Sequence, residues 1–298
     1  MKIGILGGTG FIGTHLAKFL VEKNHSVVVF TRSKRTSDNK NIEFVQMQEP
    51  NSIHLNGFDS LVNLVGEAVI GGRWTDARKN LLTTSRVDYT KKLNSELAKV
   101  ASKPKSILHG SAIGFYGMYD NSDIQFNETS SSGNDFLAQL CVDWEAESVQ
   151  STNLGIRTVL LRTGIVLSPE AGALQQMLTP FKLFTGGPLG SGKQCMSWIH
   201  IGDMISGIYF LITNESKKGA FNFTAPNPVT NYSFSKELGS VLNRPSFFVV
   251  PEFVIRTLFG ESAEVILKGQ NVIPKNLIDA GFKFQFPDLN LALRNLLV

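Results

Sequence analysis

Glycine stands at every third position of Gly7-Gly8-Thr9-Gly10-Phe11-Ile12-Gly13, a spacing suited to chemistry done by backbone rather than by side chains. Gly7 permits a tight turn, Gly10 lets main chain approach a bulky anion, and Gly13 lets a following helix pack closely on what precedes it. The apolar run Lys2–Leu6 comes just before, and an amphipathic pattern over Phe11–Glu22 just after. In a strand, glycine turn and helix so arranged, the N–H groups at the helix start and the positive end of its dipole hold a diphosphate. The turn is therefore read as a dinucleotide site, with Gly7, Thr9, Gly10, Phe11, Ile12 and Gly13 around the diphosphate. A glycine-rich turn without ligand is the competing reading.

The second strand, Ser26–Thr31, leads into Arg32-Ser33-Lys34-Arg35. A carboxylate at this point would accept a hydrogen bond from the ribose 2′-hydroxyl of NAD. None is present, and Arg32 offers a planar fork matched to a 2′-phosphate. The expected cofactor is NADP(H).

Positioning these groups requires alternating strands and helices. Ile42–Gln46, Ser60–Val65, Ser106–Ser111 and Thr158–Arg162 read as further apolar or β-branched strands. A long helical pattern over Asp76–Val100 carries Leu82, Val87, Leu93, Leu97 and Val100 near one stripe. That alternation predicts an α/β fold with a doubly wound parallel sheet of the Rossmann type. From Gly164 the chain turns to glycine- and proline-rich loops with shorter elements, including helices around Ser233–Leu242 and in Pro274–Val298. The expected division is a cofactor-binding domain over residues 1–163 and a smaller C-terminal α/β lobe over 164–298, partly returning to the first.

With 298 residues, 42% hydrophobic content and a scattered net charge of +4, the chain reads as a globular protein with a sizeable core. No basic patch points to nucleic acid. No run approaches the roughly 18 apolar residues of a membrane span, and Gly7–Gly10 cuts short the apolar start that a signal peptide would extend. Cys141 and Cys195 form neither metal-ligand spacing nor a disulfide framework, so no metal is expected and the expected location is cytoplasmic.

Several strings follow in order: Asn63-Leu64-Val65-Gly66-Glu67, Arg73-Trp74-Thr75, Ser85-Arg86-Val87, Ser111-Ala112-Ile113-Gly114-Phe115-Tyr116-Gly117 and Ser197-Trp198-Ile199-His200-Ile201-Gly202-Asp203. With Leu267-Lys268-Gly269-Gln270 and Ala280-Gly281-Phe282-Lys283-Phe284, they resemble the extended short-chain dehydrogenase/reductase superfamily, and within it the atypical, sugar-nucleotide-epimerase-like branch. The resemblance spans essentially the whole chain. It implies that Thr31 and Arg32 face the adenosine ribose and that Leu64 and Val65 flank the adenine and diphosphate path. It also implies that Arg86 lies on the helix beside the cofactor and that Gly164, Ile165 and Val166 approach the nicotinamide.

Members of this superfamily use a Tyr-x-x-x-Lys pair, in which Lys lowers the Tyr pKa for acid/base work. Here Phe136 and Leu140 stand at that spacing, and a shift by one gives Leu137 and Cys141. The catalytic candidates left are Ser111 and Tyr116, with Glu128, Lys193 and His200 behind them. The expected substrate pocket is bordered by Ser111, Tyr116, Lys193 and His200, with Trp74 as a possible wall, and would take an anionic or ring-bearing small molecule such as a sugar. Gly187–Lys193 imitates a phosphate loop, but Gln194 stands where Ser or Thr would bind magnesium. The function read is an NADP(H)-binding oxidoreductase or epimerase-like protein with an altered acid/base set. The alternatives are a non-catalytic NADP(H)-binding or redox-sensing protein, and a scaffold keeping only the fold.

Overall fold

The computed structural model describes residues 1–121 and 123–298. Runs of Val, Ile, Leu and Phe, apolar on both faces, form the central strands β1 (Lys2–Leu6) and β2 (Ser26–Thr31), whose residues are buried beyond the first of each. With β3 (Ile42–Gln46), β4 (Ser60–Asn63), β5 (Ser106–Ala112), β6 (Arg157–Thr163) and β7 (Gly219–Phe223), they make a seven-stranded sheet in the order β3-β2-β1-β4-β5-β6-β7. Every pairing in it is parallel. The chain winds outward from β1 through β2 to β3, then resumes on the other side at β4, so the strand order reverses between β1 and β4. That switch point opens a crevice at the carboxyl ends of the strands.

Helix α1 (Phe11–Glu22) buries Gly13, Leu16, Ala17 and Leu20, one stripe of its surface. It shares a core with Ile205, Ile208 and Ile212 of α6 (Ile201–Thr213) on one face of the sheet. On the other face Leu93 and Leu97 of α3 (Tyr89–Lys99) pack on Leu6, Val28, Leu61 and Ile107. The glycine turn has a steric cause. Gly7 sits at φ +73°, and a Cβ there would lie 2.9 Å from the Leu64 carbonyl. A Cβ at Gly13 would lie 2.5 Å from the Gly8 Cα, so α1 reaches its depth against the turn only without one.

The helical pattern after β4 departs from the uniform helix expected over Asp76–Val100. Helix α2 (Asp76–Thr83) passes through a π-helical turn, Thr84–Asp88, before α3 begins. Arg86 causes the widening: its buried guanidinium folds back to donate to the Leu82 carbonyl at 3.2 Å, inserting into the ladder.

Helix α4 (Phe136–Ser148) covers the sheet beside α3, with its N-terminus capped by Asp135 on the Ala138 N–H. Residues 164–298 return α6 and β7 to the main sheet and build a lesser core of Leu174, Trp198, Phe234 and Leu293. That core joins α5 (Gly172–Lys182), α7 (Asn231–Leu242) and the C-terminal helix Leu289–Leu297. Helix α8 (Glu252–Phe259) leads into a segment tied to the loop after β4, where Lys79 pairs with Glu261 at 2.7 Å and Ser262 Oγ donates to the Gly72 carbonyl at 3.0 Å. Among the described residues no helix is long and apolar enough to cross a membrane.

Replacing Gly13 by Ala is expected to lower stability by about 1–3 kcal/mol through overpacking. Lys18→Ala, on the exposed face of the same helix, should stay within about 0.5 kcal/mol. Urea unfolding of both variants checks the argument, and equal midpoints would contradict the close-packing role of Gly13.

Candidate functional site

A cleft of about 740 Å³ opens over the switch point and brings together the glycine turn (Gly7, Thr9, Gly10), the end of β2 (Thr31, Arg32) and the exit of β4 (Leu64, Val65, Gly66, Glu67). Below it stands the N-terminus of α1. Gly10 is its cap residue, no side chain caps it, and its first turn holds no acid. The first N–H groups of a helix lack partners within the helix, and the dipole concentrates positive charge there. An uncapped helix end of this kind favours an anion, and its first three helical residues are Phe11, Ile12 and Gly13.

Arg32 reaches over the rim. Its carbonyl is held by the side-chain amides of Gln46 and Gln48, each at 3.2 Å, while its side chain is 80% exposed. The guanidinium lies 3.6 Å from the Glu67 carboxylate. Arg86 does not line the cleft; it lies behind Gly66 and Glu67, which do. It is buried, donates to the carbonyl of Glu67 at 2.7 Å, and lies 5.2 Å from the Trp144 ring. Burial lowers its pKa, although the guanidinium remains charged.

Behind Leu64 and Val65 runs a buried polar chain. Asn63 Oδ1 accepts from the Val65 N–H at 3.3 Å, and Asn63 Nδ2 donates to His109 Nδ1 at 3.3 Å. His109 Nε2 meets Ser151 Oγ at 3.2 Å, and Ser151 in turn donates to Asn94 Oδ1 at 2.6 Å. Since that hydroxyl proton is committed to Asn94, His109 carries its own proton on Nε2. Burial pushes the His109 pKa down to about 3, so the ring is neutral and serves as a brace for the cleft wall.

Toward the other half of the strand ends, Ser111 and Tyr116 join one buried network. Ser111 Oγ donates to Glu145 Oε1 at 2.6 Å. Arg162, on β6, clasps Glu145 through Nε at 2.8 Å and Nη2 at 2.7 Å, and donates from Nη1 to the Tyr116 hydroxyl at 3.0 Å. Tyr116 donates onward to Asn222 Oδ1 on β7 at 2.7 Å. Tyr116 is fully buried, and burial raises its pKa. The proton of each hydroxyl is therefore already held inside the protein.

The other candidates are spread more widely. Gly164 and Ile165 carry the chain off β6 by backbone bonds to Phe223 and Ser197, and a Cβ at Gly164 would lie 2.4 Å from the Ser197 carbonyl. Val166 is buried in the sheet core beside Phe11 and Ile12. Trp74 is buried against Phe136, with ring centroids 5.4 Å apart, and its Nε1 donates to the Val69 carbonyl. Leu137 and Leu140 share that cluster, so both possible registers of the missing pair present apolar surface there. Cys141 is buried, its thiol pushed up to about 12 by desolvation. His200 caps α6 through Nδ1, which accepts from the Gly202 N–H at 2.9 Å, and its ring stacks on Phe286. Lys193 is exposed and lines a separate depression of about 530 Å³ with Asp123 and Tyr232, one that Ser111, Tyr116 and His200 do not reach. The phosphate-loop-like stretch turns through Gly190 and Gly192, both at positive φ, and runs into a strand at Cys195–Met196. Glu128 accepts from the backbone N–H groups of Asn222 and Asn276, and burial raises its pKa.

Several residues of these networks escaped the sequence reading. Arg162 follows the apolar run Val159–Leu161 of β6, and a buried cation there demands a carboxylate partner; that signal was available. Glu145, Asn222 and Glu67 carry no comparable mark, because their partners are distant in sequence.

The family model of the NAD-dependent epimerase/dehydratase family matches residues 3–223, and a domain of unknown function, DUF1731, matches residues 250–296. Epimerase family protein YfhF of Bacillus subtilis is 37% identical over 301 residues, covering 100% of this chain and 98% of that protein. The chloroplastic epimerase family protein SDR39U1 homolog of Arabidopsis thaliana is 38% identical over 304 residues, covering 99% of this chain and 86% of that protein. The crystal structure of human epimerase family protein SDR39U1 with NADPH is similar with a TM-score of 0.89 and 30% identity, covering 99% of both chains.

The His109 brace predicts a pH dependence. The unfolded ring titrates near 6.5 and the folded one near 3, so between these values only the unfolded state takes up the proton. Stability is complete above pH 6.5 and falls as the pH drops toward 3, with a slope from this group of up to about 1.4 kcal/mol per pH unit. His109→Gln should flatten that part of the stability–pH curve. Parallel curves for the two proteins would contradict a neutral buried His109.

Proposed function

The chain belongs to the NAD-dependent epimerase/dehydratase family, and on that premise we propose that it binds NADP(H) in the cleft over α1 and acts as an oxidoreductase or epimerase-like enzyme on a small polar substrate. One observation carries the reading: an uncapped helix N-terminus and an exposed arginine at the end of β2 face the same cleft. The residues present fit the cofactor. Gly7 and Gly13 let the turn close and α1 pack against it, and the Phe11–Gly13 amides suit a diphosphate. Arg32 suits a 2′-phosphate, and Leu64 and Val65 supply apolar wall. The human relative solved with NADPH supports the choice of cofactor.

When bound, the nicotinamide supplies or accepts a hydride; the protein's part is position and protons. Gly164, Ile165 and Val166 would border the nicotinamide end. Residues 1–163 would hold the cofactor, and 164–298 the substrate. Phe136 and Leu140 can move no proton. Ser111, with its own proton on Glu145, keeps oxygen lone pairs and can accept a hydrogen bond from a substrate hydroxyl, but cannot donate to a carbonyl without leaving Glu145. Binding is therefore supported more directly than turnover.

That commitment of both hydroxyl protons favours a second reading, an NADP(H)-binding or redox-sensing protein without turnover. NADPH consumption across a panel of carbonyl substrates and sugar nucleotides separates the two. Two buried free cysteines, their thiols pushed up by burial, suit a reducing cytoplasm and take no part in either role.

NADPH should bind at least about tenfold more tightly than NADH, since one charge-assisted contact contributes about 1.5–3 kcal/mol. Arg32→Ala should remove most of that preference. Titration calorimetry with both cofactors measures it, and equal affinities in the unaltered protein would refute the NADP(H) assignment.

A further inference from the structure

We propose that Glu67 is a counter-charge that sets how strongly Arg32 takes a 2′-phosphate, an inference that rests on the NADP(H) reading. The two residues come from opposite sides of the glycine turn. Arg32 follows β2, Glu67 follows β4, and β1 with its turn lies between them. Their ion pair at 3.6 Å thus spans the mouth of the cleft that both line.

The two halves of this clasp differ in rigidity. The main chain at Glu67 is anchored twice: its N–H donates to Ser85 Oγ at 3.2 Å, and its carbonyl accepts from Arg86 Nη2 at 2.7 Å. Gly66 lies flat on the same guanidinium, where a Cβ would come within 3.1 Å of Arg86 Cζ. Arg86 is itself buried and bonded to the Leu82 carbonyl. Arg32 has an anchored carbonyl, but its side chain stands in solvent, able to turn.

A 2′-phosphate arriving at Arg32 meets a guanidinium already facing an anion. Binding exchanges carboxylate for phosphate and brings the phosphate near a charge of its own sign. Glu67 thereby lowers affinity for the 2′-phosphorylated cofactor and leaves affinity for its unphosphorylated counterpart nearly untouched. The other ion pair on the cleft wall, Lys92 with Glu49 at 2.8 Å, is internally balanced and takes no part in the exchange.

The test uses the full chain and two probes that differ in the 2′-phosphate, 2′,5′-ADP and 5′-AMP, titrated by calorimetry. Glu67→Gln is expected to bind 2′,5′-ADP about two- to fivefold more tightly, the range for releasing an exposed ion pair, with 5′-AMP unchanged. The tightening should vanish in an Arg32→Gln background. Glu67→Ala, which keeps both main-chain anchors, should act in the same direction and serves if the amide variant folds poorly. An unchanged or weaker Kd for 2′,5′-ADP, equal tightening of both probes, or tightening that survives without Arg32 overturns the role of Glu67. Should the unaltered protein fail to prefer 2′,5′-ADP over 5′-AMP, the NADP(H) reading falls, and this inference with it.

Discussion

A bidentate ion pair between Arg162 and Glu145, buried where β6 meets α4, ties together the strand ends beside the cleft. Burial works against the Arg162 charge, and the Glu145 carboxylate and Tyr116 hydroxyl more than offset it, so its pKa is raised. The Phe115 ring centroid lies 3.5 Å from the same guanidinium. Through this pair Ser111 on β5, Tyr116 beyond it and Asn222 on β7 are held in one arrangement. Removing either charge would strand the other, a loss of about 3–5 kcal/mol. Replacing both by apolar residues is a different matter, because much of the pair's Coulomb energy only recovers its desolvation. The pair is thus best understood as a device for geometry.

The carboxyl ends of the strands thus carry two regions with different physics. Over α1 the groups offered are main-chain amides of an uncapped helix end and one exposed arginine. Near Ser111 and Tyr116 the polar groups are saturated by one another, and the apolar cluster of Trp74, Leu137 and Leu140 covers the region where a tyrosine and lysine would stand in related enzymes. Such an arrangement suits the proposed dinucleotide. Its proton transfers, if it performs them, must either break an internal hydrogen bond or use the substrate's own groups.

The parts that could be read from sequence are those enforced by sterics and periodicity. Gly7 and Gly13 announce a turn because a Cβ at either would collide with neighbouring backbone, and apolar runs buried on both faces announce central parallel strands. The π-helical turn at Thr84–Asp88 could not be read this way, since it follows from where Arg86 folds back. Tyr116 reads in sequence as a catalytic candidate, yet its hydroxyl is engaged by Asn222 and Arg162, which the fold brings to it from distant strands. Lys193 and His200 stand close in sequence, but the strand Trp198–His200 carries the histidine inward to cap α6 while Lys193 stays on the surface.

A crystal structure of the protein with NADPH tests the account most directly. The account predicts the diphosphate on the Phe11–Gly13 amides and the 2′-phosphate on Arg32. It also predicts that Ser111 still donates to Glu145, and Tyr116 to Asn222. A dinucleotide bound elsewhere, or a Ser111 hydroxyl turned away from Glu145 toward the nicotinamide, would contradict it.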